Sequence, residues 1–164
     1  MQIINLRASI NLGLSNLQKS KIPNYNPVAR PVINTTIIPD LNWLSGFVTA
    51  EGCFFLSIIK SNRTKVGYAI QLMFKLTQNK RDKELLKLIA KFVNCGAVYS
   101  KGENAFDFIV SKFADNLNII IPIFKNYPIQ GIKQLEYQDF CQVAALIDIG
   151  KHLTEEGLAK ILLI

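Results

Sequence analysis

Leu44-Ser45-Gly46-Phe47-Val48-Thr49-Ala50-Glu51-Gly52 is the stretch on which the reading of this chain turns. It has the marks of a helix with a sharp start and a sharp stop. Pro39 precedes Asp40, a good N-cap residue, and Gly52 stands where a left-handed residue would end the helix. The signals predict a helix over residues 40–51. Two features separate it from an ordinary core helix. Gly46 and Ala50 lie four apart, so one face is nearly bare and another backbone could approach it. Glu51 is an acid in the last turn, where the helix dipole disfavours negative charge by roughly 0.3–1 kcal/mol. An acid there, beside a close-packing face, suggests a site that wants a cation. The plain alternative is a solvated glutamate on a helix with small residues.

Working outward, the totals set bounds. The 164 residues suffice for one domain with a real core, and 49% of them are hydrophobic. Mean hydropathy is +0.21, which hints at a buried interface. No run of about 20 apolar residues occurs, so no membrane span is expected. The net charge of +7 favours a polyanionic partner. Cys53, Cys95 and Cys141 are scattered and lack metal-ligand spacing, and His152 is the only histidine. That argues against zinc and a disulfide framework, and for a reducing compartment.

Residues 1–39 contain no acid, and they carry Arg7, Lys19, Lys21 and Arg30 among Asn, Ser and Pro. Residues 1–16 read as a short helix or its remnant, and 17–39, with Pro23, Pro27, Pro31 and Pro39, as an extended linker. The expected domain then runs over 40–164. After the first helix come two period-2 runs, Cys53–Ile59 and Tyr68–Thr77, joined by the polar loop 61–67. Residues 82–93 have helical spacing, with Leu85, Leu86, Leu88, Ile89 and Phe92 as the apolar stripe. A second hairpin follows, turning at Lys101-Gly102-Glu103-Asn104. Helices are expected over 113–125, 132–149 and 153–163, the last capped by Thr154. The order is α-ββ-α-ββ-α-α-α, an α+β chain whose antiparallel sheet has helices on one face.

The other sheet face would be open, polar and mildly basic. It is expected to carry Gln71, Lys75, Thr77, Gln78, Tyr99, Lys101 and Asp107 among apolar Phe55, Ile59, Met73 and Ile109. A β-ribbon fits the DNA major groove, where Gln pairs with adenine, Lys with guanine, Asp accepts from cytosine and apolar groups touch a thymine methyl. Arg63, Lys65 and Lys101 would reach phosphates. A wet face, or one covered by a partner subunit, fits the pattern as well.

Residues 44–52 resemble the LAGLIDADG motif of homing endonucleases. Gln71–Gln78, Asp82–Leu86, Asp107–Phe113, Tyr127–Gln134 and His152–Leu158 are similar, in order, to the single-chain, two-motif members of fungal mitochondrial introns. The resemblance runs from about residue 28 to 164, and it implies an αββαββα half with a saddle-shaped DNA-binding sheet. This chain has one motif. Residues 3–15 resemble the end of a first half and 17–39 the linker between halves, so the chain looks like the C-terminal half of a double-motif protein.

The family match implies roles residue by residue. Glu51 corresponds to the acid that holds the catalytic divalent cation, Mg²⁺ (Mn²⁺ or Ca²⁺ could occupy the site), with the main-chain carbonyl of Ala50 as a further ligand. Lys133 corresponds to the basic residue near the scissile phosphate, and Gln78 to a polar residue that helps place water. Gly46 and Ala50, with Trp43 beside them, would form the helix–helix interface with a second LAGLIDADG half, either another copy of this chain or a missing N-terminal half. Double-stranded DNA would lie on Cys53, Phe55, Ser57 and Ile59 of the first strand and on Gln71, Met73, Lys75 and Thr77 of the second. Tyr99, Lys101, Asp107, Ile109 and Ser111 of the second hairpin would join them, with Ser61, Arg63 and Lys65 in the first loop. Thr49 replaces a frequent Asp of the motif and would serve helix packing. The expectation is a Mg²⁺-dependent, site-specific DNA endonuclease of mitochondrial origin. An RNA-binding maturase, or a DNA-binding module without cleavage, is the alternative.

Overall fold

A computed structural model describes residues 1–10, 13–29 and 37–164. The chain forms two compact units, Met1–Asn34 and Thr35–Ile164. In the first, α1 (Gln2–Ser9) and α2 (Asn16–Lys21) are short helices. Residues 17–21, expected as linker, are helical because Ser15 and Gln18 make a reciprocal cap: the Gln18 amide donates to Ser15 Oγ and the Ser15 amide to Gln18 Oε1. The linker expectation for residues 30–36 lies outside the described residues, as do positions 11 and 12 of the segment 3–15.

The second unit begins with α3 (Leu41–Glu51), then β1 (Gly52–Lys60), β2 (Tyr68–Asn79), α4 (Lys83–Val93), β3 (Ala97–Lys101) and β4 (Ala105–Val110). Next, α5 (Phe113–Asp115), a π-helical turn (Asn116–Ile120) and α6 (Ile121–Asn126) run in succession, before α7 (Lys133–Asp148) and α8 (Glu155–Leu163). The expected order of elements is present. Asp40 caps α3 by accepting from the Trp43 amide at 2.8 Å, and Thr154 caps α8 by accepting from Gly157.

Strand order is β1-β2-β4-β3, antiparallel throughout. The register puts Phe54 opposite Phe74, Leu56 opposite Leu72, and Leu76 opposite Phe108 on the helix-covered face. Phe54 is the hub of that core, with ring centroids of Phe74, Phe124, Tyr137 and Phe140 5.1–5.8 Å away. In α4, Leu86, Ile89 and Val93 are buried, whereas Phe92, expected in the stripe, is 41% exposed. The π-helical turn has a visible cause. Asn116 is fully buried, and its Nδ2 donates to the carbonyls of Leu72, Val110 and Lys112. One side chain thus donates to carbonyls within β2, at the end of β4 and just beyond it.

Gly52 ends α3, but not in the expected left-handed conformation. Its φ is −72° and ψ 154°, extended backbone that leads straight into β1. With no loop between helix and strand, Glu51 is fixed at the point where the two meet.

Candidate active site

Three side chains foreseen as functional converge at that point. Gln78 Nε2 donates to Glu51 Oε2 at 3.2 Å. Lys133 Nζ donates to the Gly52 carbonyl at 2.6 Å and lies 3.4 Å from Glu136 Oε2. Glu51 is exposed, while the Lys133 side chain is only 20% exposed. Gln78 was expected on the open face. It has the opposite parity, sharing the side of Leu76 and Phe106, and from the last turn of β2 this directs it toward Glu51.

Ser45 had no expected task and Thr49 was expected in helix packing; both hold the chain before α7. Ser45 Oγ donates to the Pro128 carbonyl at 3.0 Å, and Thr49 Oγ1 accepts from the Gln130 amide at 3.2 Å. These bonds tie residues 128–130 to α3 just before α7 begins, which sets Lys133 over the Gly52 carbonyl. The signal was present in the sequence as two hydroxyl residues four apart on one apolar helix.

Alongside the cluster lies the bare face of α3. Gly46 and Ala50 are exposed, and a Cβ built on Gly46 would meet nothing within 4 Å. Trp43 stacks on Phe47 with ring centroids 5.3 Å apart and planes 6° from parallel, both rings half-buried. Phe47 was not foreseen as part of this face, although it follows Trp43 at helical spacing.

The open sheet face starts at the same junction. The register places Cys53, Phe55, Ser57 and Ile59 of β1 opposite Lys75, Met73, Gln71 and Ala69 of β2. Lys75 and Thr77 oppose Ile109 and Asp107 of β4, and Tyr99 opposes Asp107 from β3. Ser111 is exposed just beyond β4. Lys75 Nζ stands 5.1 Å from the Phe55 ring centroid. Arg63 and Lys65 are exposed in the β1–β2 loop, whereas Ser61 is engaged in it, accepting from the Arg63 amide. Asp107 is the exception on this face. It is only 9% exposed, accepts from Thr77 Oγ1 at 2.6 Å, and lies 3.9 Å from Lys101 Nζ. Both contacts fall on Oδ1, which leaves the other oxygen of this nearly buried carboxylate for the cytosine of the sequence reading. The β3–β4 turn also meets the chain after β2, the Lys80 amide donating to the Asn104 carbonyl.

Fold and site together define an αββαββα saddle protein with an acid where its first helix meets its sheet. Residues 44–144 match the model of the LAGLIDADG endonuclease family, and the chain belongs to that family. It is 41% identical over 165 residues to the probable intron-encoded endonuclease 3 of Neurospora crassa, across 99% of this chain and 31% of that protein. It is 33% identical over 115 residues to an uncharacterized 50.9 kDa protein in ND4 intron 1 of Podospora anserina. That match covers 69% of this chain and 25% of that protein. Among solved structures, the I-SmaMI LAGLIDADG homing endonuclease bound to cleaved DNA superimposes with a TM-score of 0.91 at 38% identity. The I-LtrWI LAGLIDADG homing endonuclease bound to target DNA does so with 0.90 at 41%. Each match covers 98% of this chain and 54% of the other. The chain thus spans about a third of the first curated relatives it matches and about half of these solved chains.

Proposed function

We propose that this chain is one half of a sequence-specific DNA endonuclease that hydrolyses phosphodiester bonds and makes a double-strand break when two LAGLIDADG helices pair. The observation that carries this is the convergence of Glu51, Gln78 and Lys133 at the end of a helix whose adjoining face is bare, next to an uncovered sheet.

The donor set fits a hard divalent cation. Glu51 Oε1 has no protein partner among the described residues, and carbonyls in a last helical turn, such as that of Ala50, lack intrahelical donors. Among the described residues no three His, Cys, Asp or Glu side chains cluster to cage a metal. One carboxylate, a carbonyl and water suit Mg²⁺, which keeps much of its hydration shell. When bound, the ion supplies stabilisation of the charge that builds on the phosphoryl and leaving oxygens. The chain's own residues do the rest. Glu51 holds the negative end of the site, Gln78 orients that carboxylate and can direct a water, and Lys133 places a fixed ammonium beside the reacting phosphate. A second acid would come from the partner's motif helix, packed on Trp43, Gly46, Phe47 and Ala50. Since relatives are named for ND4 and cox1 introns, we place the protein in the mitochondrion.

The test is cleavage of a plasmid carrying the cognate intron-insertion site in Mg²⁺. Glu51→Gln should bind the site as wild type does and lose at least about 1,000-fold in cleavage rate. Equal cleavage by both proteins would overturn the assignment. Tight site binding by wild type with no nicking in Mg²⁺ or Mn²⁺ would leave a binding module instead.

A further inference from the structure

Thr77 lies on the open sheet face between Lys75 and Asn79, with Asp107 directly across the ladder. A threonine hydroxyl facing DNA is ordinarily ambiguous, since it can donate to a base or accept from one. Here its proton is committed. Thr77 Oγ1 donates to Asp107 Oδ1 at 2.6 Å, and a carboxylate accepts only. Asp107 is held in turn. It is 9% exposed, Lys101 Nζ lies 3.9 Å from the same oxygen, and Tyr99 opposes it on β3. What Thr77 still offers outward is lone pairs.

We infer that Asp107 is a positioning residue that makes Thr77 an acceptor-only reader, selecting a base with an amino group in the major groove on the strand it faces. That means adenine, through N6, or cytosine, through N4. Guanine and thymine present only acceptors there, apart from the thymine methyl. The inference rests on the DNA reading above and adds a base preference at one position. It also makes Asp107 the residue that sets another reader's polarity.

The test is selection of bound duplexes from a library randomised across the target, using the full chain and its Thr77→Val, Thr77→Ser and Asp107→Ala variants. Thr77→Val identifies the pair by erasing preference at one position. On one strand at that position wild type should favour adenine and cytosine alike by roughly 5- to 20-fold over guanine and thymine, and Thr77→Ser should keep that preference. Asp107→Ala should flatten it, because without the carboxylate the Thr77 proton is free to donate to guanine or thymine as well. A merely structural role for Asp107 would weaken binding at all positions alike. Overturning results are a preference at that pair that separates A·T from G·C or purine from pyrimidine, no position altered by Thr77→Val, or an unchanged preference in Asp107→Ala. Failure of every protein to enrich any duplex would overturn the DNA reading itself, and this inference with it.

Discussion

At Gly52 a Cβ would lie 2.5 Å from Val48 Cγ1 and 2.6 Å from the Val48 carbonyl oxygen, although φ there is ordinary at −72°. A glycine after a helical pattern signals a left-handed cap, and it cannot disclose a close approach that depends on the fold. That is why the residue was legible and its reason was not. Gly52→Ala should destabilise by about 1–3 kcal/mol, measured by denaturant unfolding. It should also disturb Glu51 next door. Cysteine chemistry gives a second check at this scale. Burial, with Asp115 nearby, pushes the Cys95 thiol up to about 11, and burial also raises that of Cys141. At pH 8 only about one Cys95 in a thousand is thiolate. Alkylation followed by mass spectrometry should therefore modify Cys53, half-exposed on the open face, well before the other two. Bound DNA should protect Cys53. Equal labelling of the three, or no protection, would contradict the placement of that face.

The element scale is where periodicity informs most. Alternation in 53–59 and 68–77 assigned both strand faces, because side-chain period alone sorts them. Gln78 was expected on the open face against that alternation: it shares the parity of Leu76 and, near the end of β2, reaches Glu51. Periodicity could not show that Ser45 and Thr49 anchor residues 128–130, a contact between positions about 80 apart in the chain. Ser45 is 6% exposed, and Ser45→Ala removes one of two donors to the Pro128 carbonyl, the other being Gln130 Nε2. A loss of about 0.5–1.5 kcal/mol in stability is expected. Cleavage should slow while site affinity holds, because the loop positions Lys133 and not the sheet. Affinity falling with rate unchanged would place the loop's role on the DNA surface.

For the whole molecule the proposed function turns on the Gly46 face of α3, where a second motif helix would pack and bring two acids together over DNA. That half of the device was legible in the Gly46/Ala50 spacing. Trp43 was legible there too, whereas Phe47, stacked on it and half-buried, was not, because an aromatic residue on an apolar helix reads as core. The charge of +7 predicts binding that weakens steeply with salt, and replacing Arg63 or Lys65 should lower the salt slope by roughly one each. The pairing itself is tested by sedimentation velocity of wild type and Gly46→Leu at high micromolar concentration. A side chain at 46 meets nothing in the single chain, so the variant should melt as wild type does. Wild type should sediment as a dimer and Gly46→Leu as a monomer. Wild type that stays monomeric at every concentration, or Gly46→Leu that dimerises equally well, would contradict that pairing.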